Sequence, residues 1–489
     1  MIRVLTSAAM GAADQRTITG GIPSLVLMER AALSVLKVIR ECELDCSNVC
    51  VLCGTGNNAA DGVAVARLLI EEGDNADLYL LGDESHYSPE MKQQLEITSN
   101  YDVFTVSRFN PDEYTLIIDA LFGTGLKREV TGGYAKAIDK VNKSGTPVVS
   151  VDIPSGLSGD TGEILGTAVF ADITVTFQYP KQGQLIVNGP AVCGDLFVEN
   201  IGIFPYADRS DSGCFILTEE DLETLPARNE SGNKGTFGKL LVIAGNREIC
   251  GAAFLSAAAS LKTGIGMVKI FTSAENRTAL SVRIPEALIT SYGENTSDLE
   301  KLESDLEWAD AVLIGPGIGT DDFSKELMKR FLKLNSKPTV MDADALNILS
   351  ASPELWNSVR FDCTITPHVG EMSRLTSLSP GEIKADPLGT ASLFAAEHKV
   401  TCILKDHVSV TAYPSGLTFI NTSGCSALAS AGSGDVLAGM TAGMITRYRG
   451  ENLPVAAMAV YRHGTAGEQA AEELGCEAAT SADLLDHIN

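Results

Sequence analysis

Two stretches carry the residue types that chemistry needs. The first is Ala431-Gly432-Ser433-Gly434-Asp435-Val436-Leu437-Ala438-Gly439, which brings glycines, a carboxylate and the start of an apolar segment into one turn. Gly432 and Gly434 are free to take positive φ, so successive amide N-H groups converge on an anion, and the N-terminus of the helix that follows points the same way. Asp435 at the mouth supplies a base for a phosphate-handling site. The same octet also reads as a glycine turn capped by an aspartate. The second stretch is Gly54-Thr55-Gly56-Asn57-Asn58-Ala59-Ala60-Asp61-Gly62, between an apolar run (Asn48 to Cys53) and a helical pattern (Val63 to Leu69). Strand, glycine loop and helix in that order open a doubly wound sheet.

The elements that position these stretches follow from hydrophobic patterning. Leu25, Leu27, Met28, Ala31, Ala32, Val35, Leu36 and Ile39 recur at helical spacing, so residues 1 to about 47 read as helical. Strands are expected at 48–53, 76–82, 115–119 and 147–152. In an open parallel sheet, ligands collect outside the carboxyl ends of the strands, so the Asn57 to Asp61 loop, Asp119, the turn from Gly123 and the Asp152-Ile153-Pro154-Ser155-Gly156 segment should line one crevice. Asp119, at a partly buried strand end, is the best placed proton-transfer group there, or else a turn-forming aspartate. Composition loosens between 205 and 235, where the domain boundary is placed: 1–208, a linker at 209–235, and 236–489. Beyond it strands are expected at 239–246, 267–271, 311–315, 339–346, 363–368 and 401–405, with a small-residue helix at 251–261. Asp342 and Asp344 at a strand end either hold Mg²⁺ or cap and turn the chain. The fold class is therefore α/β with two domains, the first a Rossmann-like doubly wound sheet.

The bulk numbers exclude several functions. The 489 residues carry a formal net charge of −26 with no Lys/Arg-rich block, which argues against nucleic acid or an anionic membrane as partner. An anionic ligand must therefore be gripped locally. Of the eleven cysteines, only Cys42, Cys46, Cys50 and Cys53 have spacings reminiscent of a metal cluster, yet Cys50 and Cys53 lie in a strand pattern and no histidine stands near. Reduced, mostly buried thiols are expected instead. Asp14 and Arg16 interrupt the N-terminal apolar residues, which makes a poor signal peptide, and no apolar run approaches membrane-spanning length. A soluble cytoplasmic protein, forming a homo-oligomer, is the expectation.

Taken together, Lys234-Gly235-Thr236-Phe237-Gly238, Gly315-Pro316-Gly317-Ile318-Gly319, Asp342-Ala343-Asp344-Ala345-Leu346, Thr366-Pro367-His368-Val369-Gly370-Glu371-Met372 and the Gly432 to Gly439 stretch resemble, in order, the bifunctional NAD(P)H-hydrate repair enzymes. These fuse an epimerase domain to an ADP-dependent dehydratase domain of ribokinase-like fold. The resemblance implies that hydrated NADH and NADPH are the substrates, with ADP as phosphoryl donor, Mg²⁺ in the second domain and K⁺ in the first. It implies K⁺ ligation by Asn58, Asp119 and Ser155. It carries epimerase substrate binding onto Asn57, Asn58, Ala59, Ala60 and Asp61, then Gly123, Thr124, Gly125, Leu126, Lys127, Arg128 and Glu129, and Asp152. Dehydratase substrate contacts fall on Ala253, Gly319, His368 and Asp435, and nucleotide contacts on Lys405, Asp406, His407, Val408, Ser409 and Gly434. Asp435 is expected to be the catalytic base of the second domain and Asp119 the proton-transfer residue of the first.

The chain departs from the family pattern at Ala59-Ala60, where two glycines are usual, at Asp406, where glycine is usual, and at Gly424-Cys425-Ser426-Ala427-Leu428. An added Cβ at 59 and 60 is expected to hinder backbone approach to a diphosphate, and a carboxylate at 406 to disfavour phosphate unless it points away. The alternatives are a ribokinase-like kinase of a small alcohol, or a dehydratase whose first domain only binds.

Overall fold

Val49-Cys50-Val51-Leu52-Cys53 is apolar at every position, and such a run is buried on both faces only inside a parallel sheet covered by helices. The computed structural model describes residues 1–205, 213–293, 296–360 and 362–488, and there this run is an interior strand of a parallel sheet. The chain divides into two compact units, Arg3–Ser210 and Asp211–Asn489 with Met1–Ile2. The expected boundary at 208/209 lies outside the described residues.

After a short β1 (Ile2–Val4), the first unit contains β2 (Val49–Cys53), β3 (Ala76–Leu80), β4 (Phe104–Thr105), β5 (Leu116–Ala120), β6 (Val148–Val151), β7 (Ile173–Phe177) and β8 (Asp195–Glu199). Their order is β4-β3-β2-β5-β6-β7-β8, and every pairing is parallel. The chain runs outward from β2 in one direction, then returns to lay β5 against its other edge. That reversal opens a crevice between the loops after β2 and β5. Residues 1–47, expected to be helical, contain two helices, Ser7–Thr19 and Ser24–Glu41. The break is at Gly20-Gly21-Ile22-Pro23, where Gly21 takes φ 109° and a Cβ on Gly20 would strike the Phe204 ring.

The second unit contains β9 (Gly213–Ile216), β10 (Lys239–Ile243), β11 (Met267–Ser273), β12 (Leu288–Tyr292), β13 (Ala311–Ile314), β14 (Thr339–Met341), β15 (Cys363–Ile365), β16 (Thr401–Leu404), β17 (Val410–Ala412) and β18 (Leu417–Ile420). They run in the order β9-β18-β17-β16-β15-β14-β13-β10-β11-β12. All pairings are parallel except β16 with β17 and β17 with β18. Two expectations change here. Part of the expected linker, Gly213–Ile216, is a paired strand, and the expected strand over 339–346 stops at Met341 because Ala343 turns to φ 51° and a helix begins at Asp344.

Helix Ser433–Arg447 packs on helix Gly251–Lys262 through small residues. A Cβ on Gly439 would run into the Ser256 carbonyl, and one on Gly443 would meet the Ser260 carbonyl at 2.9 Å. Glycines four apart thus let backbone touch backbone, and the contact fixes the height of the Asp435 turn over the sheet. Gly439→Ala is expected to cost about 1–3 kcal/mol through overpacking, read as a lower unfolding midpoint in denaturant. A midpoint equal to wild type would show that the contact has slack.

Candidate active sites

In the first unit a cavity of about 730 Å³ opens at the carboxyl ends of β2 and β5. Asn57, Asn58 and Asp61 line it from the first turn of helix Asn57–Glu72, and the loop from Gly123 to Arg128 lines the other wall. Lys127 and Arg128 bring positive charge to that wall, which is how a strongly acidic chain can hold an anionic ligand. Asp152 and Lys181 complete the lining with Asp14 from the first helix. Sequence reasoning missed both Asp14 and Lys181. Neither belongs to a motif, and only the tertiary fold brings them beside Asp152.

Lys181 is fully buried. Its ammonium pairs with Asp152 Oδ1 and donates to Thr176 Oγ1 at 2.8 Å. Asp152 Oδ1 also accepts from Thr176 Oγ1 and Phe177 N, both at 3.3 Å. Asp152 takes φ 65°, unusual for a non-glycine residue and a mark of a held conformation. Asp14 and Asp61 share the space but not the partners. Burial and the Asp152 carboxylate raise the Asp14 pKa to about 6 against the pull of Lys181. Burial, Asp152 and Asp14 push Asp61 well above the usual carboxylate range.

Asp119 lies elsewhere than expected. It is fully buried on β5, outside the cavity lining, and its carboxylate accepts from Ser155 N (2.8 Å), Ser155 Oγ (2.6 Å), Ser150 Oγ (2.9 Å) and Leu121 N (3.3 Å). Burial raises its pKa while these donors oppose the rise. A carboxylate so enclosed braces the loop and does not face the cavity. Ala59 and Ala60 depart from expectation too. They sit inside the helix with their methyl groups in the core, so neither Cβ stands between backbone and cavity. Glu129 is exposed and also lies outside the lining.

In the second unit the strand ends converge. The Lys405 amide donates to Pro367 O at 2.8 Å, which sets His368 beside Lys405. Lys405 Nζ pairs with Asp342 Oδ1 at 2.9 Å, and a Cβ on Gly434 would lie 3.3 Å from that Nζ. Burial works against the Lys405 charge, but Asp342, Glu371 and Asp435 outweigh it and raise its pKa. Asp435 stands in the first turn of its helix, with a pKa raised to about 6 by burial and by Asp342 and Asp344, against Lys405. Gly432 takes φ 92° as expected, but Gly434 does not take positive φ, because helix Ser433–Arg447 already contains it. Behind the turn the fully buried His463 contacts Ser433 Oγ at 3.2 Å and its carbonyl at 3.1 Å, and burial lowers its pKa to about 4.

Gly319 joins this group through its amide, which donates to Asp344 Oδ2 at 2.9 Å. His368 caps helix Val369–Thr376, its Nδ1 accepting from Gly370 N at 2.9 Å, and its ring is exposed. Asp406 is exposed and pairs with Lys384 at 3.8 Å. His407 is exposed, while Val408 and Ser409 are partly covered. Ala253 is fully buried against Ala438 and Ala442, so its methyl group packs in the core. Among the described residues no group of three or more His, Cys, Asp or Glu side chains forms a metal site, and all eleven cysteines are free. Nor is any described helix long and apolar enough to cross a membrane.

Two parallel-sheet units, one ending in a glycine turn with a raised-pKa carboxylate beside a partly buried lysine, define a two-domain α/β enzyme whose second unit is ribokinase-like. A ribokinase-like superfamily protein from Enterococcus faecalis V583 matches it with a TM-score of 0.51 and 26% identity, over 56% of this chain and 94% of that one. Residues 240–489 match the NAD(P)H-hydrate dehydratase family, and 24–183 match the YjeF-related protein N-terminus. The bifunctional NAD(P)H-hydrate repair enzyme of Thermofilum pendens is 35% identical over 96% of this chain and 92% of its own length. That of Moorella thermoacetica is 34% identical over 99% and 96%. The chain belongs to the family of bifunctional NAD(P)H-hydrate repair enzymes.

The buried ion pair gives a stability test. Lys181→Met leaves Asp152 without its cation and is expected to cost about 3–5 kcal/mol, measured by denaturant unfolding. Adding Asp152→Asn to Lys181→Met should recover part of that loss.

Proposed function

We propose that the two units divide the repair of hydrated NADH and NADPH, the first interconverting R and S hydrates and the second dehydrating the S form with ADP. The observation that carries the reading is Asp435 at a helix N-terminus, with the partly buried Lys405 and the buried Asp342 converging on the same turn. The hydrate's hydroxyl is a poor leaving group, and phosphorylation makes it a good one. Asp435 accepts the hydroxyl proton while the oxygen attacks the terminal phosphate of ADP. The amides from Gly432 to Gly434 and the Lys405 ammonium hold the charge that develops. The ring nitrogen then expels phosphate, and AMP leaves. His368 and Gly319 face the substrate, and Lys405 to Ser409 the nucleotide.

Asp342 and Asp344 are the side chains that would hold Mg²⁺, which commonly takes one or two carboxylates and completes its shell with water and phosphate oxygens. The pairing of Asp342 with Lys405 is compatible, because one of its oxygens remains. The oxygens of Asn58, Asp119 and Ser155 fit K⁺ in kind: one amide, one carboxylate and one hydroxyl. They are already knit together, since Asn58 Nδ2 donates to Phe122 O at 3.1 Å and Phe122 N to Ser155 Oγ at 2.9 Å. A cation there would steady the loop that begins at Phe122.

An R/S hydrate mixture supplied with ADP or ATP tests the division. Complete consumption faster than spontaneous epimerisation is expected, with AMP or ADP and phosphate released. A plateau after the S form is spent would remove the epimerase assignment, and a stable phosphorylated alcohol from another substrate would favour a small-alcohol kinase. Asp435→Asn should slow dehydration by about 10² to 10⁴ and leave epimerisation intact.

The pH dependence of dehydration has a definite sign. A base must be ionised to accept a proton, and the Asp435 pKa is raised to about 6. The dehydration rate should therefore fall as pH drops through about 6 and level off above it. A rate flat from pH 5 to 8 would remove Asp435 as the base.

A further inference from the structure

The cavity of the first unit contains two carboxylates with no hydrogen-bond partner among the described residues. Asp61 follows the Asn57-Asn58 turn, and Asp14 comes from helix Ser7–Thr19, outside the residues matched by either family. Neither Asp14 nor Asp61 is held by a donor, whereas Asp152 is gripped by Lys181, Thr176 and Phe177 N. A structural aspartate at a cavity wall normally accepts from a backbone amide or a cation. A side chain left without either, in a cavity that also holds the Asp152–Lys181 ion pair, is arranged to exchange a proton with a ligand.

We propose that Asp14 is the catalytic acid of the first unit, giving its proton to the hydroxyl of the nicotinamide hydrate during epimerisation. The proposal rests on the reading of this unit as the epimerase. In the hydrate the hydroxyl sits on a ring carbon bonded to the ring nitrogen. Asp14 protonates that oxygen, the C–O bond breaks with its electron pair leaving on water, and the nitrogen lone pair forms the C=N⁺ bond. Water then adds to the opposite face, electrons return to nitrogen, and the proton of the adding water passes through the carboxylate cluster back to Asp14, which restores the acid. Substrate and product have the same composition, so no other reactant is consumed.

The surroundings suit an acid. The groups facing Asp14 across the cavity are Asp61, Asp152 and Lys181, with Lys127 and Arg128 on the loop wall. Burial, and after it the Asp152 carboxylate, favours a bound proton on Asp14 against the pull of Lys181.

The test follows R to S conversion in the full chain, with unreacted NADH as a binding probe. Asp14→Asn should lower kcat for epimerisation by about 10² to 10⁴ with little change in KM or NADH binding. ADP-dependent loss of the S hydrate should be unaffected. The wild-type rate should fall as pH rises through about 6, that limb should vanish in Asp14→Asn, and Asp14→Glu should restore part of both rate and limb. A wild-type rate in Asp14→Asn, or a slowed rate with the same limb, would overturn the proposal. A wild-type chain that leaves the R/S ratio untouched would instead overturn the epimerase reading beneath it.

Discussion

Each unit is organised around a lysine at the carboxyl end of its sheet, fully buried in the first unit and partly buried in the second, and paired with one carboxylate. Lys181 holds Asp152 in the first, and Lys405 holds Asp342 in the second. Removing both charges from water is costly, and mutual attraction offsets that cost only when further hydrogen bonds hold the pair. Thr176 and Phe177 N supply those bonds in the first unit. In the second, Glu371 and Asp435 add negative charge around Lys405. Each pair then shapes its neighbours. Burial, and after it the neighbouring carboxylates, pushes Asp14, Asp61 and Asp435 toward higher pKa, into or beyond the range where proton transfer near neutrality is efficient.

The fold was legible where hydrophobic runs were long and ended in polar residues. The strands before Gly54, Asp119, Asp152, Gly315 and Lys405 all form close to their expected positions, because a parallel strand must be apolar on both faces. Shorter and more mixed strands gave no such signal. β4 has only Phe104 and Thr105, and β17 and β18 form an antiparallel ribbon within an otherwise parallel order. The Asp435 nest could be read from its glycines, since positive φ at Gly432 is a backbone requirement that composition exposes.

The first site was less legible. Asp119 drew attention because it ends a strand, yet side-chain alternation and the Ser155 turn fold it inward. Ala59 and Ala60 looked like obstacles in a loop, but the helix begins two residues earlier and turns their methyl groups into the core. Asp14 registered only as a charge interrupting an apolar N-terminus. Its place in the cavity depends on the break at Gly20-Gly21, which separates its helix from the one that follows. Lys181 stands alone in sequence between a proline and a glutamine. Its meaning appears only when β7 lies beside β6.

The glycine seam between helices Ser433–Arg447 and Gly251–Lys262 has a thermal consequence. Catalytic groups on loops often lose their arrangement well before a domain melts, because loops open in small local steps. Asp435 is carried by a helix whose main chain rests on the main chain of its neighbour. The Asp435 carboxylate is expected to shift when that helix pair parts, which is a step in melting the second unit itself. Dehydration should therefore persist on warming until the unit unfolds, with heat inactivation and loss of structure sharing one transition.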